Sequence, residues 1–143
     1  MSRWLFKSEP SEYSLADLIR DGRTIWEGVS NALARIHLRS VKAGDRILFY
    51  HTGKEKSIVG EMVAAADARL AHTSDDPDDM VVEVTAPKAF AIPVPLAAIR
   101  SNLEFRDFDL VRNSRLAVMP VSVRHWRMIE QLAEKADRPR NRR

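Results

Sequence analysis

Arg46-Ile47-Leu48-Phe49-Tyr50-His51, Thr52-Gly53-Lys54-Glu55-Lys56 and Ser57-Ile58-Val59-Gly60-Glu61-Met62-Val63 follow one another without interruption. A mostly apolar run, a polar turn containing glycine and a second apolar run predict a β-hairpin with a buried first strand. Lys42-Ala43-Gly44-Asp45 is a turn leading into it. A hairpin at the middle of the chain makes the protein a sheet protein, and the flanking segments say what packs on the sheet.

Upstream, Trp4-Leu5-Phe6 is a short apolar run ended by Pro10 and reads as a buried strand. Ser14-Leu15-Ala16-Asp17 has the form of a capping box and opens a helix to Arg20, which Asp21-Gly22 stops. Thr24 to Ser30 reads as a glycine-interrupted apolar loop around Trp26. Asn31 caps a second helix to about Arg39, with Leu33, Ile36 and Val41 as its apolar face and Arg35 and Arg39 on another. Downstream, a strand is expected near Ala65 to Ala71 and another at Met80 to Thr85. The segment Ala91 to Pro95 should be extended. Pro95 suits the first position of a helix to Arg100, and Leu116 to Val121 is a late strand. Ser122 caps the strongest helix, with Val123, Trp126, Ile129, Leu132 or Ala133, and Ala136 at helical spacing. Short strands with helices placed early and late make a small mixed barrel with helices packed on it.

The 143 residues fit one domain, and 45% apolar and 30% charged residues describe a chain able to bury a core. The domain is expected to span 1–136, followed by a basic, disordered tail at 137–143. That tail holds Arg138, Arg140, Arg142 and Arg143 against Asp137, so it accounts for the whole formal charge of +3. The basic balance therefore says little about the folded part. Asp75, Asp76, Asp78 and Asp79 concentrate negative charge in one loop, whose simplest reading is a solvated run. With no cysteine, disulfides, thiolate metal sites and a cysteine nucleophile are excluded. No signal peptide or membrane-length apolar stretch is visible, so a cytoplasmic protein is expected, acting as a monomer with no membrane partner.

Signatures of catalysis are missing. There is no G-x-S-x-G elbow, no G-x-G-x-x-G fingerprint and no phosphate loop, Gly53-Lys54 lacking its upstream glycine. His37, His51, His72 and His125 form no H-x-x-x-H or H-E-x-x-H pair, so no metal and no cofactor is expected.

Four segments together resemble the EVE domain, a branch of the PUA-like superfamily. They are Trp4-Leu5-Phe6-Lys7-Ser8-Glu9-Pro10 with Tyr13-Ser14; Trp26-Glu27-Gly28-Val29 with Asn31, Ala34-Arg35 and Leu38-Arg39; Gly44-Asp45, Phe49-Tyr50-His51 and Ile58-Val59-Gly60; and Ser114-Arg115-Leu116, Pro120-Val121-Ser122 and Trp126. Three positions depart from the family pattern. Ser30 stands where the family usually has an arginine, Ala32-Leu33 replaces an aromatic-glutamine pair, and Ala117 replaces a serine. The resemblance implies an α+β fold, a PUA-like barrel of about five or six strands with flanking helices. It also implies a pocket for a modified base, most often a modified cytosine in DNA, with modified adenines in RNA bound by relatives.

On that implication the chain is a non-catalytic nucleic-acid reader, with DNA or RNA carrying a flipped, modified base as its partner. Trp26 is the candidate stacking platform, and Asn31 offers donor and acceptor from one amide in addition to capping its helix. Ser8 with Lys7 and Glu9 would add polar contacts, Val29 would line the pocket, and Tyr50 and His51 would form another wall. Ser114 and Arg115 would bind a phosphate or the base edge, and Arg35 and Arg39 would steer backbone phosphates. Two alternatives stand beside this reading: an enzyme acting on a nucleotide or small molecule with Glu9, Glu27 and His51 as acid–base groups, and a protein-interaction domain with a vestigial pocket.

Overall fold

The computed structural model describes residues 1–72 and 74–134. The expected tail at 137–143, the domain end at 136 and the core role of Ala136 lie outside the described residues.

The hairpin is present as β3 (Arg46–His51) and β4 (Ser57–Ala64), antiparallel, with Ile47 facing Met62 and His51 facing Ser57. On its other side β3 pairs in parallel with β1 (Arg3–Ser8), which pairs with the short β7 (Val118–Pro120). β4 pairs with β6 (Met80–Pro95), and β6 carries β2 (Arg23–Trp26) and the two-residue β5 (Arg69–Leu70). The main order is β2-β6-β4-β3-β1-β7.

In a flat sheet β2 and β1 would lie about 19 Å apart, four spacings of roughly 4.8 Å. Yet the Trp26 ring on β2 sits 5.4 Å from the Phe6 ring on β1 and 5.4 Å from the Phe49 ring on β3. The sheet is therefore curled into a half-barrel around these aromatics. Bulges on β6 allow the curl: the step from Glu61 to Val63 on β4 is met by Lys88 to Thr85 on β6, and Ile58 to Gly60 by Val94 to Ala89. The extra residues bend β6, and Ala86 takes a positive φ of 53° there.

β6 corrects two expectations at once. The strand at Met80–Thr85 and the extended Ala91–Pro95 are one sixteen-residue strand, because Pro87 falls in a bulge, where no ladder N–H is required. Pro95 is the cap of α3 (Leu96–Arg100) rather than its first residue. Trp26 likewise closes a strand instead of sitting in a loop.

The helix ends follow their side chains. α1 (Leu15–Asp21) has the full capping box: the Asp17 N–H donates to Ser14 Oγ at 3.1 Å and the Ser14 N–H to Asp17 Oδ2 at 2.9 Å, and Gly22 ends the helix at φ 80°. α2 (Ala32–Arg39) starts where Asn31 Oδ1 accepts from the Ala34 N–H at 3.0 Å. Its buried face is Ala34 and Leu38; Leu33 and Ile36 are 42% and 54% exposed, contrary to expectation. One reason is Arg35, whose Nε donates to the Val29 carbonyl at 2.7 Å and holds that side of the helix inward. A four-residue α4 (Asp109–Arg112) precedes β7.

α5 (Val123–Glu134) buries Trp126, Ile129 and Ala133, while Val123 is exposed. The Arg46 guanidinium lies 4.8 Å from the Trp126 ring centroid and meets Glu61 at 2.6 Å and Glu130 at 3.4 Å, fastening the helix to the hairpin. At the hairpin entrance the buried Asp45 carboxylate accepts from the Ser2 and Lys42 amides and the Trp4 indole, at 2.9–3.0 Å. No helix among the described residues is long and apolar enough to cross a membrane.

Two predictions follow from this packing. A Cβ on Gly60 would lie 2.4 Å from the Lys88 carbonyl and 2.6 Å from Leu15 Cδ2. Gly60→Ala is expected to cost about 1–3 kcal/mol by overpacking, read as a lower urea midpoint with unchanged m-value. His125, buried against Phe105 and Phe108, donates from Nε2 to the Glu104 carbonyl at 2.9 Å, and burial, then Arg124, pushes its pKa below 6.5. Well above pH 6.5 both folded and unfolded chains carry a neutral ring. As pH falls through 6.5 the unfolded chain takes up the proton first, so stability drops until the folded ring titrates. Denaturation from pH 8 to 5 should therefore show a steeper loss in the wild type than in His125→Gln.

Candidate nucleic-acid interface

β1 and β2 face each other across the curl, and a cleft of about 370 Å³ opens between their ends. Lys7, Ser8 and Glu9 leave β1 along one wall, and Thr24, Ile25, Trp26 and Glu27 leave β2 along the other. Glu12 and Tyr13, in the turn before α1, complete the lining. Trp26 is 9% exposed, so the indole is first a core residue and gives the cleft only what Phe6 and Phe49 leave uncovered.

The chemistry of this cleft is acidic. It holds Glu9, Glu12 and Glu27 against one cation, Lys7. Glu9 Oε2 accepts from the Ser11 hydroxyl and amide, both at 2.6 Å, and these bonds hold its carboxyl below the usual range, so it stays ionised. Ser8 Oγ donates to the Tyr13 carbonyl at 2.5 Å and ties the turn to β1. Lys7 Nζ reaches away from the carboxylates, donating to the Ser114 carbonyl at 2.9 Å and lying 5.7 Å from the Tyr50 ring centroid.

Lys7 also borders a second cleft of about 210 Å³ on its other side, between the β3–β4 turn and α3. Tyr50 and Ser114 line that cleft and not the first. The ten residues expected in one pocket are thus divided. Lys7, Ser8, Glu9 and Trp26 meet in the first cleft, Tyr50 and Ser114 join Lys7 in the second, and Val29, Asn31, His51 and Arg115 line neither.

His51 has a scaffold role. Its Nε2 accepts from the Leu15 N–H at 3.1 Å, which leaves Nδ1 to carry the proton and donate to Glu55 Oε1 at 3.0 Å. An otherwise orphaned amide at the start of α1 is satisfied this way. Arg35 and Arg39 are also engaged: Arg35 meets Asp76 at 2.8 Å and Arg39 meets Asp78 at 3.4 Å. The acidic loop, expected to be merely solvated, lies over the two cations expected to meet phosphate. Glu12, Tyr13, Thr24 and Ile25 are not among the expected pocket residues, because nothing in the sequence says that β2 ends opposite β1. Among the described residues no group of three or more His, Asp or Glu could hold a metal ion.

A half-barrel of this strand order with flanking helices is a PUA-like small-barrel fold. The EVE domain matches residues 2–132, and the chain belongs to the EVE domain family. It is 28% identical to human thymocyte nuclear protein 1, the match covering 94% of this chain and 75% of that one. In three dimensions it is similar to Rpa0253 of Rhodopseudomonas palustris, at a TM-score of 0.88 and 30% identity with both chains fully covered. It is also similar to human THYN1 solved in complex with DNA containing 5-methylcytosine, at a TM-score of 0.87 and 27% identity, covering 94% of this chain and 98% of that one.

One prediction tests the scaffold part of this site. Glu55→Gln keeps an acceptor for the His51 Nδ1 proton and should leave stability within about 0.5 kcal/mol. His51→Leu strands the Leu15 amide and should cost about 1–3 kcal/mol, with faster hydrogen exchange at Leu15. An unchanged exchange rate there would overturn the assigned tautomer.

Proposed function

We propose that this EVE domain is a non-catalytic reader of nucleic acid that holds one unstacked, modified base, a modified cytosine in DNA, in the cleft between β1 and β2. The single observation that carries the reading is that cleft: about 370 Å³, with Trp26 and three glutamates among its lining residues. Its size falls in the range of roughly 300–1,000 Å³ usual for small-ligand sites. The likeness to the human relative bound to 5-methylcytosine DNA supports the choice of ligand.

The carboxylates suit a base better than a backbone. An ionised carboxylate accepts the exocyclic amino group of cytosine, as it does in base recognition generally, while it repels phosphate. Glu9, kept ionised by Ser11, and Glu27 at the end of β2 are the acceptors. Trp26 supplies the aromatic surface its neighbours leave uncovered, a smaller stacking contribution than a free indole would give. Extruding a base costs a few kcal/mol from duplex and least where it is mismatched or single-stranded, so single strands are the preferred substrate. The acid–base alternative loses support because His51 spends both ring nitrogens on the scaffold.

The test is a titration at fixed salt of single-stranded oligonucleotides that differ only in one 5-methylcytosine. Burying one methyl contributes about 0.8 kcal/mol, so the modified strand should bind about fourfold tighter. Glu27→Gln should weaken both strands, and Trp26→Phe should reduce the preference while keeping the fold. Equal affinities throughout would overturn the reading. Separately, Asp76→Asn with Asp78→Asn frees Arg35 and Arg39 and should raise affinity for both strands alike, more at low salt.

A further inference from the structure

The second cleft differs from the first in charge. Lys7, Lys56 and Arg100 line it, with Tyr50, Leu96 and Leu110 as its walls. None of its lining residues is acidic. Elsewhere among the described residues Arg20, Arg23, Arg35, Arg39, Arg46 and Arg124 each meet a carboxylate. Lys7, Lys56 and Arg100 form no ion pair among the described residues; Glu55 turns to His51, and Glu9 gives Oε2 to Ser11 while its Oε1 lies beside Gly53 at the edge of the cleft.

The backbone holds this cluster in place. Lys56 adopts a positive φ of 43°, and its carbonyl accepts from the Leu96 N–H at 2.7 Å, which ties the β3–β4 turn to the start of α3. Arg100, at the end of α3, lies close enough to the Tyr50 phenol to favour its ionisation, against the larger effect of burial. Lys7 comes from β1 between the two clefts. Lys56 and Arg100 are exposed and Lys7 is half-buried; three cations lining one concavity give it a positive potential.

We propose that this cleft is an oxyanion site that takes the phosphodiester next to the base held in the carboxylate-lined cleft, with Lys7 as the post between base and phosphate. Identifying the anion as a nucleic-acid phosphate rests on the base-holding reading; the preference for an oxyanion does not. The division of charge is what a nucleotide requires, since acceptors meet the amino edge of its base and cations meet its phosphate. Burial lowers the Lys7 pKa, a cost to the charged form that a bound anion would offset.

The test has two arms. In the first, inorganic phosphate is titrated into the full chain and followed by amide and side-chain NMR. Saturable shifts are expected at Lys56, Arg100 and Lys7, lost in Lys56→Gln/Arg100→Gln. Shifts confined to Arg35, Arg39 or Arg115, or no saturable shift, would overturn the site. In the second, the same double variant is titrated with strands carrying 5-methylcytosine or cytosine at several salt concentrations. Affinity for both strands should fall about tenfold, and the salt slope should shrink by roughly 0.7 for each lost cation, while the preference for the methylated strand persists. An unchanged slope with the preference intact would overturn the phosphate assignment alone. A strand without preference for 5-methylcytosine in the wild type would overturn the base reading while leaving the first arm to decide the anion site.

Discussion

Everything in this molecule depends on one contact set, the Trp26 indole between Phe6 and Phe49. It joins β2, the outermost strand on one side, to β1 and β3 near the other, and so turns an open sheet into a half-barrel. Each aromatic pair is worth about 0.5–1.5 kcal/mol beyond its buried area, a modest sum for so large a geometric effect. The bulges of β6 make it sufficient, because they put the bend into the strand instead of straining the ladder. The cleft exists because the closure is incomplete. β1 and β2 approach through these rings without hydrogen-bonding to each other, so their ends diverge and leave a gap.

That origin explains how much was legible in the sequence. Local physics was legible: the Ser14–Asp17 box, the Asn31 cap and the hairpin all lie where their residues indicate, because each rests on contacts within a few positions. The EVE pattern was legible too, since its four segments fall on β1, the β2–α2 connection, the β3–β4 hairpin and the entry to α5. Non-local facts were not. Leu33 and Ile36 look like a buried helix face, but Arg35's bond to the Val29 carbonyl decides which side turns inward. Met80–Thr85 and Ala91–Pro95 look like separate extended segments, but one strand runs through both, with Pro87 in a bulge. Trp26 looks like a loop residue because Gly28 follows so soon, yet β2 runs up to it.

Of the ten residues expected in one pocket, six line the two clefts and four line neither. The Lys-Ser-Glu stretch and Trp26 do share a cleft. Asn31 and His51, attractive because an amide and an imidazole can read a base edge, are occupied by helix starts: Asn31 caps α2, and His51 accepts the first amide of α1. A backbone donor needing a partner is a strong competitor for a polar side chain, since stranding it costs about 1–3 kcal/mol. Arg35 and Arg39 illustrate the same competition among charges, being held by Asp76 and Asp78.

The electrostatics of the end that carries the clefts cannot be reduced to net charge. Without the Arg-rich tail the formal charge of the chain is zero, yet two adjacent concavities carry opposite signs. Exposed ion pairs are weak, about 0–1 kcal/mol; Arg39 is held by such a pair and Arg35 by a half-buried one, whereas Lys7, Lys56 and Arg100 form no ion pair among the described residues. On the proposed reading a strand anchors beside Lys7 and meets Arg35 and Arg39 only at the expense of their aspartates. One lysine borders both concavities, so in the proposed arrangement the spacing between phosphate and base follows from the parallel pairing of β1 with β3, where Lys7 lies opposite Tyr50. On this proposal base selection is coupled to backbone binding through one hydrogen-bonded strand pair, with no moving part required to place one relative to the other.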